Sequence, residues 1–135
     1  MNFEKIFNES RERRAKTFQT PSGLDCAKWL CNFLKDTNFK LRVRGGGTSE
    51  YDSVDLDQNL IQQYYDERGE IDSVQICRGN QIYYKIYFPS DIHQGYDPIE
   101  ICRYNDNLKL DNFKSYDENE FMQDIKDAIH DIQHL

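Results

Sequence analysis

The sequence lacks the features of an exported chain or of a membrane-spanning chain. Its start, Met1–Glu4, shows no cationic residues followed by an apolar stretch, so no secretory signal is expected. No run approaches the roughly 18 apolar residues that a membrane-spanning helix needs. Both absences predict a cytoplasmic protein with no membrane partner.

A metal-binding cysteine pattern is absent, although the sequence contains four cysteines. They are Cys26, Cys31, Cys77 and Cys102, separated by 5, 46 and 25 residues. Structural zinc sites use closely spaced pairs, and exported proteins are the usual place for disulfides. We therefore interpret the four thiols as reduced, small hydrophobic side chains in the core.

Motifs for nucleophilic or phosphate chemistry are absent too. No Gly-x-Ser-x-Gly elbow occurs. A glycine triplet at 45–47 follows a basic strand, but a phosphate-binding loop typically adds a lysine and leads into a helix. Here acidic residues follow instead, so we predict a flexible hairpin loop that contacts a partner, with no catalytic residue and no cofactor. This predicted loop contact consists of Arg42, Arg44, Gly45, Gly46, Gly47 and Thr48.

The charge balance carries most of the functional prediction. The 135 residues have a formal net charge of −7, which argues against direct binding to nucleic acid, because phosphate attraction needs a positive surface. Residues 1–44 contain ten Lys and Arg against five Asp and Glu, whereas residues 45–135 contain seven against nineteen. Such asymmetry between the two halves indicates an interaction surface.

The hydrophobic pattern predicts one α+β domain over residues 1–135. Apolar periodicity predicts a first helix over about 2–20, and Ser22 is the expected cap of a second one. Alternating apolar and basic residues over 39–44 predict a half-buried strand. The two N-terminal helices are expected to pack on a sheet.

Residues 73–113 predict two successive β-hairpins. Two copies of Ile-Cys-Arg, at 76–78 and 101–103, each close an alternating apolar run. Gly79-Asn80 and the segment 105–107 supply turn residues that tolerate positive φ. With the strands before them, these hairpins predict a mostly antiparallel sheet of about five to six strands.

Alternation along the second strand of the first hairpin separates its side chains into two sets. Tyr83, Lys85 and Tyr87 are predicted on one face, and Ile82 with Tyr84 on the other. An uncovered face bearing tyrosines would be a binding surface in its own right.

The last segment predicts an amphipathic helix that docks on the sheet. Asp117 is the expected N-cap, and the apolar residues from Phe121 to Leu135 fall on one stripe. Its polar side is strongly acidic, with only Lys126 as a counter-charge. The predicted acidic face consists of Glu118, Glu120, Asp124, Asp127 and Asp131.

Carboxylates on a rigid frame can imitate the phosphates of a nucleic acid and occupy a groove lined by Lys and Arg. We therefore predict a non-enzymatic interaction protein whose acidic face blocks a basic, nucleic-acid-handling protein. Small size and acid excess are typical of inhibitors such as phage-encoded anti-defence and anti-CRISPR proteins. An immunity protein that neutralises a toxin is the alternative within the binding class.

An enzyme is the alternative from a different class. Asp52, Asp55 and Asp57 could together hold a divalent metal ion, because clustered carboxylates favour Mg²⁺ or Ca²⁺. Two local structures stay open for this segment: a return strand with Asp55 and Asp57 on one face, or a helix capped by Asp57 and closed near Gly69.

Overall fold

A computed structural model describes residues 20–90 and 97–134 of the chain. In these ranges the chain has three helices and six strands, and the strands form one sheet with helices packed on it. The elements are α1 (Gly23–Leu34), β1 (Lys40–Arg44), β2 (Asp52–Val54), α2 (Gln58–Arg68), β3 (Ser73–Arg78), β4 (Gln81–Tyr87), β5 (Ile99–Asn105), β6 (Leu108–Ser115) and α3 (Glu118–Gln133). The α+β class is confirmed. The first of the two predicted N-terminal helices falls on residues outside the described ranges, and α1 is the second.

The six strands form a single sheet in the order β2-β1-β3-β4-β5-β6. Every neighbouring pair is antiparallel, so the predicted sheet of five to six strands is confirmed. The chain reaches this order by hairpins at both ends, and α2 connects β2 to β3 so that β3 pairs with β1.

Short polar residues begin each helix, as their sequence positions indicated. Ser22 Oγ accepts a hydrogen bond from the backbone N of Asp25 at 3.1 Å, and Asp117 Oδ1 accepts one from Glu120 N at 2.8 Å. Asp57 Oδ1 accepts from Asn59 N at 2.8 Å and so caps α2. Such contacts satisfy the amide groups that the first helical turn leaves unpaired.

The segment 50–57 is both a short strand and a helix cap. Strand β2 ends at Val54, and Asp57 starts α2, which Gly69 closes with a φ of 78°. The return strand exists, but Asp55 and Asp57 lie beyond its end and do not share a strand face, and the helix capped by Asp57 is confirmed.

The helices pack against one face of the sheet. Leu41, Val74 and Ile86 point to this side and are fully buried in the core. Phe121 of α3 joins the layers, because its ring centroid lies 6.3 Å from that of Trp29 on α1 and 6.5 Å from that of Phe88. Across the described residues, none of the helices is long and apolar enough to cross a bilayer.

The first hairpin contains a bulge that the alternation did not predict. Ile76 pairs with Tyr84 and Cys77 pairs with Ile82, which leaves Tyr83 opposite no residue. Tyr83 is only 6% exposed, packs edge-on against Phe39 at 5.4 Å and accepts a hydrogen bond from Arg78. The prediction that Tyr83 shares a face with Lys85 and Tyr87 is wrong. The prediction that Ile82 shares a face with Tyr84 is wrong too, because the extra residue puts Ile82 opposite Cys77 on one face and Tyr84 opposite Ile76 on the other.

All four cysteines are buried and free, which confirms their interpretation as core side chains. Burial disfavours a charged thiolate, and it raises the pKa of Cys31 to about 11 and that of Cys26 well above its ordinary value.

We expect the native protein to react slowly with Ellman's reagent at about pH 8, where exposed thiols react readily. Unfolding in denaturant should then release four rapidly reacting thiols per chain. Stoichiometric fast reaction of the native protein would contradict the buried positions.

Candidate interaction surfaces

Four carboxylates form a row along α3. Glu120, Asp124, Asp127 and Asp131 are spaced by four, three and four residues, which places them on one side of a helix with 3.6 residues per turn. We call this row the acidic stripe. Its length along the helix axis is about 16 Å, since each residue advances about 1.5 Å.

Glu118 does not belong to the stripe. It precedes Glu120 by two residues, so it lies on nearly the opposite side of α3. There its charge contributes to the raised pKa of Cys26 on α1, behind burial and Asp25. The predicted acidic face of five carboxylates is therefore corrected to four.

The first two carboxylates of the stripe accept hydrogen bonds from residues that precede α3. Glu120 accepts a hydrogen bond from the backbone N of Tyr116 at 3.1 Å. Asp124 accepts one from the buried hydroxyl of Ser115 at 2.7 Å, which fixes α3 to the end of β6. Asp127 and Asp131 are exposed, and the Asp131 side chain keeps 70% of its accessible surface. These two are the carboxylates available to a partner.

A groove of about 270 Å³ runs beside the stripe, between α3 and the strands β5 and β6. Asp124, Asp127 and Asp131 line one wall. On the other wall Arg103 forms a two-point ion pair with Asp111, with N···O distances of 3.1 and 2.9 Å. Since Asp111 neutralises the one cation, the three carboxylates of α3 leave the groove strongly negative.

The negative potential extends to Tyr84 on the groove floor. Burial is the main reason that the pKa of Tyr84 is raised, and the carboxylates of Asp131 and Asp111 add to the shift against the opposing charge of Arg103. The same negative potential would stabilise a cationic side chain placed in this groove.

Exposed leucines lie next to the groove. Leu110 is 53% exposed and lines an adjoining cavity of about 470 Å³, which also includes Asp131 and Arg103. Leu108, at the tip of the same hairpin, is 71% exposed. Apolar side chains surrounded by charged ones are the usual composition of a protein-binding patch.

The predicted loop contact lies away from the acidic stripe. Arg42 and Arg44 are on β1, separated from β5 by two strands, and their side chains point to the face opposite the helices. Gly45 is buried where it packs against the backbone of Glu70, and Gly46 approaches the carbonyl of Arg68. Gly45 is therefore packed against the body, whereas Gly46 and Gly47 are exposed, and the two predicted contacts do not form one surface.

The three aspartates of the enzyme alternative have separate local roles or positions. Asp52 lies 3.5 Å from Arg68, and Asp57 caps α2. Over residues 20–90 and 97–134, no group of three or more His, Cys, Asp or Glu side chains is placed to hold a metal ion.

Arg103 and Asp111 belong to the groove, but the alternation in the sequence does not place them opposite each other. A regular hairpin with its turn at 106–107 would place Leu110 opposite Arg103. A bulge between Arg103 and Tyr104 shifts the register and brings Asp111 there instead. The signal that could have found this pair is the match of opposite charges across the hairpin.

No protein-family model matches this chain, and neither a curated protein nor a solved structure matches it.

Proposed function

We propose that this protein is a cytosolic inhibitor that binds a basic, nucleic-acid-handling protein through the acidic stripe of α3. The single observation that carries the proposal is the row of four carboxylates on one side of a rigid helix. A row of fixed negative charges offers a groove of Lys and Arg side chains the same kind of electrostatic contact as the phosphates of a nucleic-acid backbone.

The contacts around the stripe support a protein partner in particular. Asp124 and Glu120 are held by Ser115 and by the backbone of Tyr116, so the row keeps its geometry when a partner binds. The exposed Leu110 adds apolar area beside the charges. A partner would thus place a cation in the groove and an apolar side chain against the hairpin.

The test is an affinity capture with charge-reversed bait. We expect Asp127→Lys combined with Asp131→Lys to lower the retained amount of basic nucleic-acid-binding proteins from a lysate by at least about tenfold, as measured by quantitative mass spectrometry. Asp124 is left intact because its bond to Ser115 is structural. Heparin should displace the same proteins from the unaltered bait, since it competes for the same cations.

The matched control is Asp66→Lys combined with Glu67→Lys on α2, where both side chains are exposed. This variant makes the same change in net charge away from the stripe and should retain the partner. Asp127→Lys combined with Asp131→Lys is called the stripe variant. Equal retention of the partner by the stripe variant and by the unaltered protein would contradict the proposal. If the captured protein is a toxin of the same cell, the function is that of an immunity protein acting through the same surface.

A further inference from the structure

The sheet has a second face, and its charge is opposite to that of α3. Strand register places six cations on this face, one or more on each of three strands, β1, β4 and β6. They are Lys40, Arg42, Arg44, Lys85, Lys109 and Lys114. Glu100 is the one carboxylate that the register of the described strands puts among them. We call this surface the basic sheet face.

Three tyrosines lie between these cations. The guanidinium of Arg44 lies 5.0 Å from the ring centroid of Tyr51 and 5.9 Å from that of Tyr87. The ammonium of Lys85 lies 5.0 Å from the ring centroid of Tyr104. Cations and aromatic rings thus alternate across the sheet, and each ring is only partly buried.

The floor under these long side chains is closed. Ser73, Gln75, Cys77 and Cys102 are buried on this face, although every described helix packs on the other one. Tyr51 and Ser73 hydroxyls are 2.6 Å apart, which fixes the Tyr51 ring. Burial raises the pKa of Tyr87 to about 12. The Tyr51 ring is therefore fixed by its hydrogen bond, and the Tyr87 ring is partly withdrawn from solvent.

The carboxylates at this face do not cancel its charge. Glu100 is already engaged by Asn112 at 3.2 Å and lies 3.9 Å from Lys109, and Asp72 pairs with Arg44 at 2.9 Å. Among the residues that the structure describes, no ion pair involves Lys40, Arg42, Lys85 or Lys114. Four cations thus remain for an anionic ligand.

We infer that the basic sheet face binds single-stranded nucleic acid, with phosphates at Arg42, Lys85 and Lys114 and bases stacked at Tyr87 and Tyr104. Interleaved cations and aromatic rings on a rigid sheet fit a strand whose bases are exposed. A duplex hides its base faces from the tyrosines, and a lipid surface would call for protruding apolar side chains. The net charge of −7 predicts no such binding, but the acidic stripe is on the opposite side of the sheet.

The test uses the full chain and a fluorescein-labelled oligothymidine of about 15 nucleotides, a length within the usual range for single-strand sites. We expect fluorescence anisotropy to rise with protein at low salt. The logarithm of the binding constant should fall with the logarithm of salt with a slope of about −2, because each of the three phosphate contacts contributes about 0.7.

Two substitutions separate the charge from the stacking. Lys85→Gln should reduce the salt slope by about 0.7, whereas Lys35→Gln, which removes an exposed lysine at the end of α1, should leave it unchanged. Tyr104→Leu should weaken binding about tenfold with the slope unchanged, and Tyr104→Phe should keep the affinity because the ring stays.

Several results would overturn the inference. One is no anisotropy change up to about 100 µM protein, since even non-specific binding reaches this range. Another is tighter binding to anionic vesicles than to the oligonucleotide. The same holds for binding to duplex DNA that is as tight as binding to the single strand and that Tyr104→Leu does not change. The last is the formation of oligomers that dissociate in salt and that are lost both in Lys85→Gln and in the stripe variant. That result would mean that the acidic stripe of a second copy occupies the basic sheet face. Asp127→Lys combined with Asp131→Lys should lose the protein partner but still bind the oligonucleotide, so this variant tests the proposed function and the present inference separately.

Discussion

Phe121→Ala is expected to lower the free energy of unfolding by about 4 kcal/mol. The Phe121 side chain is fully buried and lies between the rings of Trp29 and Phe88, so it joins α3, α1 and the sheet. Removing the ring loses its burial and leaves a cavity that three separate elements cannot close together. Urea denaturation followed by circular dichroism measures the loss.

The control for this prediction is Met122→Ala, the next residue on the same helix. Met122 is only partly buried at the edge of the core, so its truncation should cost about 1 kcal/mol. A comparable loss for both variants would show that Phe121 is not the residue that joins the layers. Because α3 carries the acidic stripe, Phe121→Ala should also weaken partner capture at temperatures where the variant is partly unfolded.

Local chemistry made the helices and turns predictable. Asp117 precedes a run with apolar residues at helical spacing, and a short carboxylate there can pair only with the free amides of a helix start. Asp106 and Asn107 both adopt positive φ, at 49° and 63°, in the turn that their types indicated. These features depend on residues within four positions of each other.

The two bulges could not be predicted, because alternation assumes a uniform register. Tyr83 and Leu110 are extra residues in β4 and β6, and each interrupts the alternation of faces between the residues before it and those after it. Tyr83 is stabilised in the core by Phe39, which directly precedes β1, and by Arg78 of β3. Such contacts exist only after the sheet has formed.

The acidic stripe was predictable from spacing, but the arrangement of charge around the molecule was not. Helical periodicity alone separates Glu118 from the other carboxylates of α3. The basic sheet face needs the strand order, because Lys40, Lys85 and Lys114 are distant in sequence and become neighbours only across β1, β4 and β6. A net charge of −7 hides this separation.

Gly45→Ala is expected to lower the free energy of unfolding by about 3 kcal/mol or more. Gly45 directly follows β1 and packs against the segment that leads from α2 into β3, so an added Cβ would overlap the carbonyl oxygen of Glu70. That oxygen belongs to backbone and cannot swing aside like the end of a flexible side chain. Either β1 or the start of β3 must move, and both are hydrogen-bonded along their length.

Gly47→Ala is the matched control within the same triplet. A Cβ on Gly47 meets no atom within 4 Å, so the only cost is the φ of 80°, which an alanine adopts at roughly 1–2 kcal/mol. Denaturation of both variants should therefore rank Gly45→Ala as clearly the less stable. The reverse order, or a loss below about 1 kcal/mol for Gly45→Ala, would mean that the loop is a free contact segment, as its three glycines suggest, and not a packed part of the body.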